Sequence, residues 1–305
     1  MINIGIIGCN GFIGRHLSNH LVNNNNITLK LFGRFSSNQT IEDSAYYTKV
    51  NFSDKKHTIL EIKNLDLIYY LASNSIPLTS WDNPKFEIEQ NLLPFLDFLA
   101  CVRESNVKKI VFISSAGTIY GSSSEKLNED TNKHPFSPYG INKLTMEYFL
   151  NYFQVKNNIH YDIFRVSNIY GEDQDTSKGL GIINTFLENI LNRKDIRVYG
   201  NGEAIRNYIY IRDVIRFLTT SIETELLKSN IYNLSSNDNL SINELLKIIK
   251  SIVAEDYTVI YEDSRNSDNP FIALDNSKIK STFLNINFTP IDVGIASCYQ
   301  HIKKK

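Results

Sequence analysis

The amino end of the chain runs Ile2-Asn-Ile-Gly-Ile-Ile7, then Gly8-Cys-Asn-Gly11-Phe-Ile-Gly14, then a helical pattern from Phe12 to Val22. The isoleucine-rich run is short and continuously apolar, as suits a strand buried on both faces of a parallel sheet. A strand, a glycine turn and a helix start in that order leave few folds open. The turn places backbone N–H groups and the positive end of the helix dipole where a phosphate can sit. Glycines there permit the tight turn and the close approach of a pyrophosphate. A turn of purely structural meaning is the alternative, but a strand ahead and a helix behind favour dinucleotide binding.

Downstream the pattern repeats. Strands are expected at Ile27–Phe32, near Tyr46–Phe52, at Leu65–Ser73, Lys109–Ser114 and Tyr161–Val166. Helices are expected between them, over Asp54–Lys63 and from a start bracketed by Pro84 and Pro94 to about Glu104, with Asn91 on the latter. A polar loop, Ser122–Pro138, leads into a helix carrying Tyr139 and Lys143. This alternation predicts right-handed crossovers and an α/β fold, a doubly wound parallel sheet of Rossmann type. Beyond Gly171 the alternation decays into a loop (172–181), helices near 182–193, 212–226, 241–252 and 291–303, and two short strands around a turn in Ile196–Ile211. The expected division is a dinucleotide-binding domain over 1–171 and a smaller mixed α/β substrate domain over 172–305, with some later segments returning to the first.

The 305 residues are 42% hydrophobic with a formal net charge of −1, so an ordinary core is expected and neither a nucleic-acid nor a membrane surface. The basic end, His301-Ile-Lys-Lys-Lys305, reads as a solvated helix terminus whose charge suits the dipole. Cys9, Cys101 and Cys298 are widely spaced, reading as reduced core thiols of a cytoplasmic protein. His16 and His20 share a helix face, but no third ligand is evident, and no metal is expected.

After the second strand comes Gly33-Arg34-Phe-Ser36-Ser37. An acidic residue at this position would accept hydrogen bonds from a ribose 2′-OH and repel a 2′-phosphate. Here the acid is missing. A guanidinium and two hydroxyls stand in its place, which points to NADP(H). The alternative is NAD(H), with Arg34 lying over the adenine.

Tyr139 and Lys143, four apart, share one helix face. An ammonium held near a phenol favours the phenolate and pulls its pKa towards neutrality, which would make the tyrosine a usable acid or base.

In order along nearly the whole chain stand GCNGFIG, YYLAS, SSAGTIYG, SPYGINK, RVSNIYG, GNGEAIRNYIYIRD and RNSDNP. This ordered set resembles the extended short-chain dehydrogenases/reductases, in the group of NAD(P)-dependent nucleotide-sugar epimerases, dehydratases and reductases that includes UDP-glucose 4-epimerase. The resemblance implies Tyr139 as acid/base and Lys143 as the group that tunes it and holds the nicotinamide ribose. Where many members carry the third hydroxyl, this chain has Ala116. Thr118 takes the role by resemblance to a branch of the family, with Ser115 as fallback. The resemblance further implies cofactor contacts from Gly8, Gly11, Phe12, Ile13, Gly14, Arg34, Leu71, Ala72 and Asn91. Substrate contacts are expected from Thr118, Asn168, Arg206 and Arg265, the arginines gripping a nucleotide-sugar diphosphate.

The implied chemistry is hydride transfer at C4 of a nucleotide-activated sugar. The Asp-Glu pair that dehydratases use for elimination is replaced by Gly117-Thr118, which disfavours that branch. Two outcomes share the same residues. One is reduction of a dTDP-4-keto-6-deoxyhexose by NADPH in surface-polysaccharide synthesis, preferred narrowly on Gly33-Arg34. The other is an NAD-dependent UDP-hexose 4-epimerase. A non-catalytic nucleotide sensor of the same fold is more remote; the sequence does not fix the assembly, although the resemblance allows a homodimer, relatives often being dimers.

Overall fold

The computed structural model describes residues 1–33, 46–121, 123, 125–177, 179–223, 226–264, 271–284 and 287–305. Arg34, Ser36, Ser37 and Arg265 therefore lie outside the described residues. The chain divides into two compact units. The first comprises 1–119, 135–165 and 215–232; the second 120–134, 166–214 and 233–305.

In chain order the first unit holds β1 (Ile2–Ile7), α1 (Phe12–Leu21), β2 (Ile27–Phe32), β3 (Tyr46–Thr48), α2 (Lys55–Ile62) and β4 (Leu67–Tyr70). Two short helices follow, α3 (Pro77–Ser80) and α4 (Pro84–Glu87). A π-helical turn (Ile88–Leu92) then leads into α5 (Leu93–Val102). Next come β5 (Lys109–Ser115), α6 (Ala116–Ile119), α7 (Pro138–Asn157) and β6 (His160–Val166). The remaining elements are β7 (Asn168–Tyr170), α8 (Ile182–Leu191), β8 (Ile196–Tyr199), β9 (Ile205–Tyr210), α9 (Ile211–Glu223), β10 (Asn230–Leu234), β11 (Asn239–Ser241), α10 (Ile242–Ile252), β12 (Val259–Glu262), α11 (Ser277–Thr282) and α12 (Ile291–Lys303).

The main sheet has seven strands in the order β10-β6-β5-β4-β1-β2-β3. β1 pairs in parallel with β2 on one side and β4 on the other, so the strand order reverses at β1. In such a sheet the crevice at the carboxyl ends of the strands beside the reversal is where ligands bind. The core is aromatic at its centre. Tyr70 packs against Phe95, Phe98 and Phe112 with ring centroids 4.9, 5.0 and 6.4 Å away, contacts worth about 0.5–1.5 kcal/mol each beyond their area. Two ion pairs are buried in this unit, Lys109 with Asp162 at 2.8 Å and Arg165 with Glu147 at 2.7 Å.

The helix expected from Pro84 to Glu104 is broken by the π-turn, and Pro94 is the cause. It has no N–H to offer the Gln90 carbonyl, so the ladder slips and the Leu93 N–H reaches Ile88 O instead. The Gln90 carbonyl accepts from Asn74 Nδ2 at 2.5 Å.

In the second unit β11-β9-β7 form one sheet and β12-β8 another. The two strands expected around the 200–204 turn exist, but they do not pair with each other. Gly200 and Gly202, both at φ +78°, turn the chain so that β8 lies parallel to β12 while β9 joins β7 and β11. Buried Asn233 ties the segments: its side chain accepts from Tyr120 at 2.6 Å and donates to Leu127 O at 2.9 Å. Among the described residues no helix is long and apolar enough to cross a membrane. All three cysteines are free and buried.

Candidate active site

Helix α1 begins at Gly11 with no side-chain cap, and its first ladder bond runs from Arg15 N to Gly11 O. The amides of Phe12, Ile13 and Gly14 therefore lie in the uncapped first turn. The three glycines are glycine for different reasons. Gly8 sits at φ +87°, and a Cβ there would lie 2.8 Å from Ala72 N and 3.0 Å from the Leu71 carbonyl carbon. Leu71 and Ala72, at the end of β4, thus pack directly on the turn. A Cβ on Gly14 would collide with Gly8 O and come within 2.7 Å of Cys9 Cα, so this glycine seats the helix on the strand. Gly11 is otherwise. Its φ of −72° suits any residue, and a Cβ would approach nothing nearer than Gly8 O at 3.3 Å. Its missing side chain keeps the helix N-terminus open, and a dinucleotide pyrophosphate fits that cradle.

Beyond β2, Gly33 faces the Tyr47 hydroxyl, Asn10 Nδ2 and Cys9 Sγ at 3.0, 3.1 and 3.1 Å from where its Cβ would stand. Tyr47 donates to Asn10 Oδ1 at 2.6 Å. Among the described residues no carboxylate belongs to this cluster.

The Tyr-Lys pair is placed by α7, which Ser137 caps by accepting from Gly140 N at 3.1 Å, with Pro138 at its first position. Gly140, next to Tyr139, allows the helix to touch Thr118, whose carbonyl oxygen would be 2.5 Å from a Cβ. The Thr118 hydroxyl is half-buried and reaches Ser115 O at 3.5 Å. Lys143 is 7% exposed; its ammonium donates to Ile113 O at 3.0 Å and lies 5.5 Å from the Tyr139 ring centre. Ala72, Asn91, Tyr139 and Lys143 line one crevice together with Ser73, Glu87, Asn142 and Met146. Asn91, carried by the π-turn, accepts from Asn74 N at 2.8 Å and donates to Ser75 Oγ at 2.9 Å, pinning the loop after β4.

The electrostatics depart from the sequence expectation. Desolvation raises the Tyr139 phenol above its ordinary value, Glu87 adds to the rise, and a hydrogen bond with Ser73 opposes it. Lys143 is pulled down to about 8 by burial, against the carboxylates of Glu87 and Glu147. Lys143 spends its hydrogen bond on a backbone carbonyl, and burial is the largest influence on the phenol. The Tyr139 phenol therefore keeps its proton at neutral pH.

Ser73, Glu87 and Asn142 were not singled out by sequence. Asn142 stands one residue before Lys143 and was within reach of the motif, but nothing in the sequence joins Glu87 to it. In the second unit, Asn168 is exposed at the start of β7 and donates to Asn207 O at 2.9 Å. It pairs in register with Tyr208, and Arg206, two residues before Tyr208 on β9, presents the same face. Arg206 is half-buried and donates to Ile205 O at 2.9 Å.

Comparison with known proteins places this geometry. The model of the NAD dependent epimerase/dehydratase family matches residues 4–235. A protein of Methanocaldococcus jannaschii, provisionally named a UDP-glucose 4-epimerase, is 29% identical, covering 90% of this chain and 90% of its own. The dTDP-4-dehydro-6-deoxyglucose reductase of Escherichia coli is 28% identical over 98% of this chain and 97% of its own. The solved UDP-glucose 4-epimerase of Thermotoga maritima, with UDP-glucose, superposes with a TM-score of 0.91 at 26% identity, over 99% of each chain. The fold, the glycine turn and the match over most of its length establish that this chain belongs to the NAD-dependent epimerase/dehydratase family of nucleotide-sugar enzymes.

Proposed function

We propose that this chain reduces a dTDP-4-keto-6-deoxyhexose with NADPH, as a 4-ketoreductase serving surface-polysaccharide synthesis. The observation that carries the choice is the cluster around Gly33, which among the described residues holds no carboxylate. Where an acid would accept from a ribose 2′-OH, there is no side chain, and the Asn10 amide and Tyr47 hydroxyl crowd the position. An arginine and two serines follow directly in sequence. The Escherichia coli reductase, similar over 98% of this chain, supports the same reading.

The bound dinucleotide would lie with its pyrophosphate on the amides of Phe12, Ile13 and Gly14, and would supply the hydride. The chain's own residues supply the rest. Tyr139, protonated at neutral pH, gives its proton to the sugar oxygen as the C4 carbonyl becomes an alcohol. Lys143 holds positive charge beside it and orients the nicotinamide ribose. Thr118, seated against Gly140, donates a hydrogen bond to the same sugar oxygen, with Ser115 as the alternative hydroxyl. Asn168, Arg206 and Arg265 serve the nucleotide-sugar, the guanidiniums at its diphosphate.

A second reading is NAD-dependent UDP-hexose 4-epimerisation by the same residues, favoured by the likeness to the Thermotoga maritima epimerase. A nucleotide-sensing role without turnover is a third. The three buried thiols accord with a reducing cytoplasm. An apolar stripe on α7, where Ile141, Tyr148, Tyr152 and Val155 are 51, 64, 47 and 76% exposed, supports a homodimer, which sedimentation of the purified chain would test.

The deciding experiment incubates purified protein with NADPH and a dTDP-4-keto-6-deoxyhexose, and separately with UDP-sugars and no added dinucleotide. NADPH oxidation matched by the reduced sugar is expected. UDP-sugar interconversion by protein that arrives with bound NAD, without NADPH oxidation, would overturn the reductase in favour of the epimerase.

A further inference from the structure

The carboxylate of Glu87 lines the same crevice as Tyr139 and Lys143 and has no part in the chemistry above. It closes α4 at 2% exposure. Its Oε2 accepts from Asn91 Nδ2 at 3.1 Å and from Asn142 Nδ2 at 3.3 Å, and its backbone carbonyl accepts from Asn142 at 3.0 Å. Its Oε1 is buried with no hydrogen-bond partner among the described residues. Two neutral amides do not balance a buried charge, which needs a cation in its surroundings. Neighbouring cations are spoken for. Arg165 on β6 is bound through Nε and Nη2 to Glu147, and exposed Lys85 pairs with Glu89. Lys143 is the cation lining the crevice.

We propose that Glu87 is a positioning residue: a buried counter-ion, held by Asn91 and Asn142, that keeps desolvated Lys143 an ammonium beside Tyr139. The π-turn that Pro94 enforces brings Asn91 to this carboxylate, so the helix irregularity is part of the device. The groups facing the pair are Tyr139 and Glu147 on α7, with Glu147 matched by Arg165; α3 offers no charge. Glu87 opposes the burial that depresses Lys143, and it raises Tyr139, so it favours the proton on both. A site that donates a proton needs both. The consequence for turnover rests on the proposed redox function; the electrostatic coupling does not.

The test uses the full chain as wild type, Glu87→Gln and Glu87→Asp, with folding checked by circular dichroism. Lys143 is titrated by pH-dependent competitive amine labelling read by mass spectrometry, without substrate or dinucleotide. Removing a negative neighbour lowers a lysine pKa. The Lys143 midpoint should fall by about one unit in Glu87→Gln, a tenfold loss of ammonium relative to amine, and stay near the wild-type value in Glu87→Asp. An unmoved midpoint in folded Glu87→Gln, or equal shifts in both variants, would overturn the inference. In turnover, the alkaline limb of the NADPH-dependent rate should move down with Lys143 in Glu87→Gln. A shifted Lys143 midpoint in a protein whose wild type turns over no nucleotide sugar would support the counter-ion and overturn the redox function.

Discussion

Two places in the first unit, the glycine turn and the crevice around Tyr139, are built by opposite means. At the glycine turn the described contacts are backbone and uncharged side chains: Gly8, Gly11 and Gly14 give backbone amides and close packing, with Cys9, Asn10 and Tyr47 beside them. Around Tyr139 stand buried ionisable side chains, Glu87 and Lys143 at 2 and 7% exposure, and the Lys143 ammonium is pulled down by burial against the nearby carboxylates. The first place offers shape and fixed dipoles, and the second, under the proposed function, holds and releases a proton. Substitutions should therefore fail differently at the two places, in packing or dinucleotide binding at one and in the chemistry at the other.

The largest effect expected from breaking this contrast is at Gly14. Gly14→Ala forces a methyl into the Gly8 backbone, and should cost about 1–3 kcal/mol of stability together with dinucleotide binding, both measurable by thermal melts with and without NADPH. Gly11→Ala, where a Cβ meets only Gly8 O at 3.3 Å, should keep the melting temperature and weaken NADPH binding alone. Equal destabilisation by the two would erase the distinction drawn between them. At the other place, Thr118→Ala should lower kcat by about 10²–10³-fold with melting temperature and NADPH binding kept, as expected for one lost donor to the developing oxyanion. Ser115→Ala should do little. The reverse ranking would move the hydroxyl role to Ser115.

The same contrast explains what the sequence could and could not reveal. The glycine turn and the Tyr139–Lys143 pair are legible because their geometry is local: a strand, a turn and a helix, or one helical turn on a single face. Strands β1 and β2 lie where the apolar runs put them, whereas the expected third strand, Tyr46–Phe52, shortens to Tyr46–Thr48. The β8–β12 pairing joins residues more than sixty apart with strands of four residues, too short to carry a period. Glu87 is hidden for the same reason. Its meaning depends on Asn142, 55 residues away, and on a helix slip at Pro94 whose consequence for Asn91 no periodicity announces. The raised Tyr139 phenol is not legible in the sequence because its main cause is burial, which a helical-wheel argument does not carry.

The central claim, that Tyr139 delivers the proton during reduction, is tested most directly by Tyr139→Phe in single turnover with NADPH and a dTDP-4-keto-6-deoxyhexose. The substitution removes one hydroxyl and keeps the ring. NADPH should bind as to wild type, while its oxidation slows by about 10²–10⁴-fold, the usual worth of a positioned general acid. Unchanged oxidation at intact binding would contradict the account.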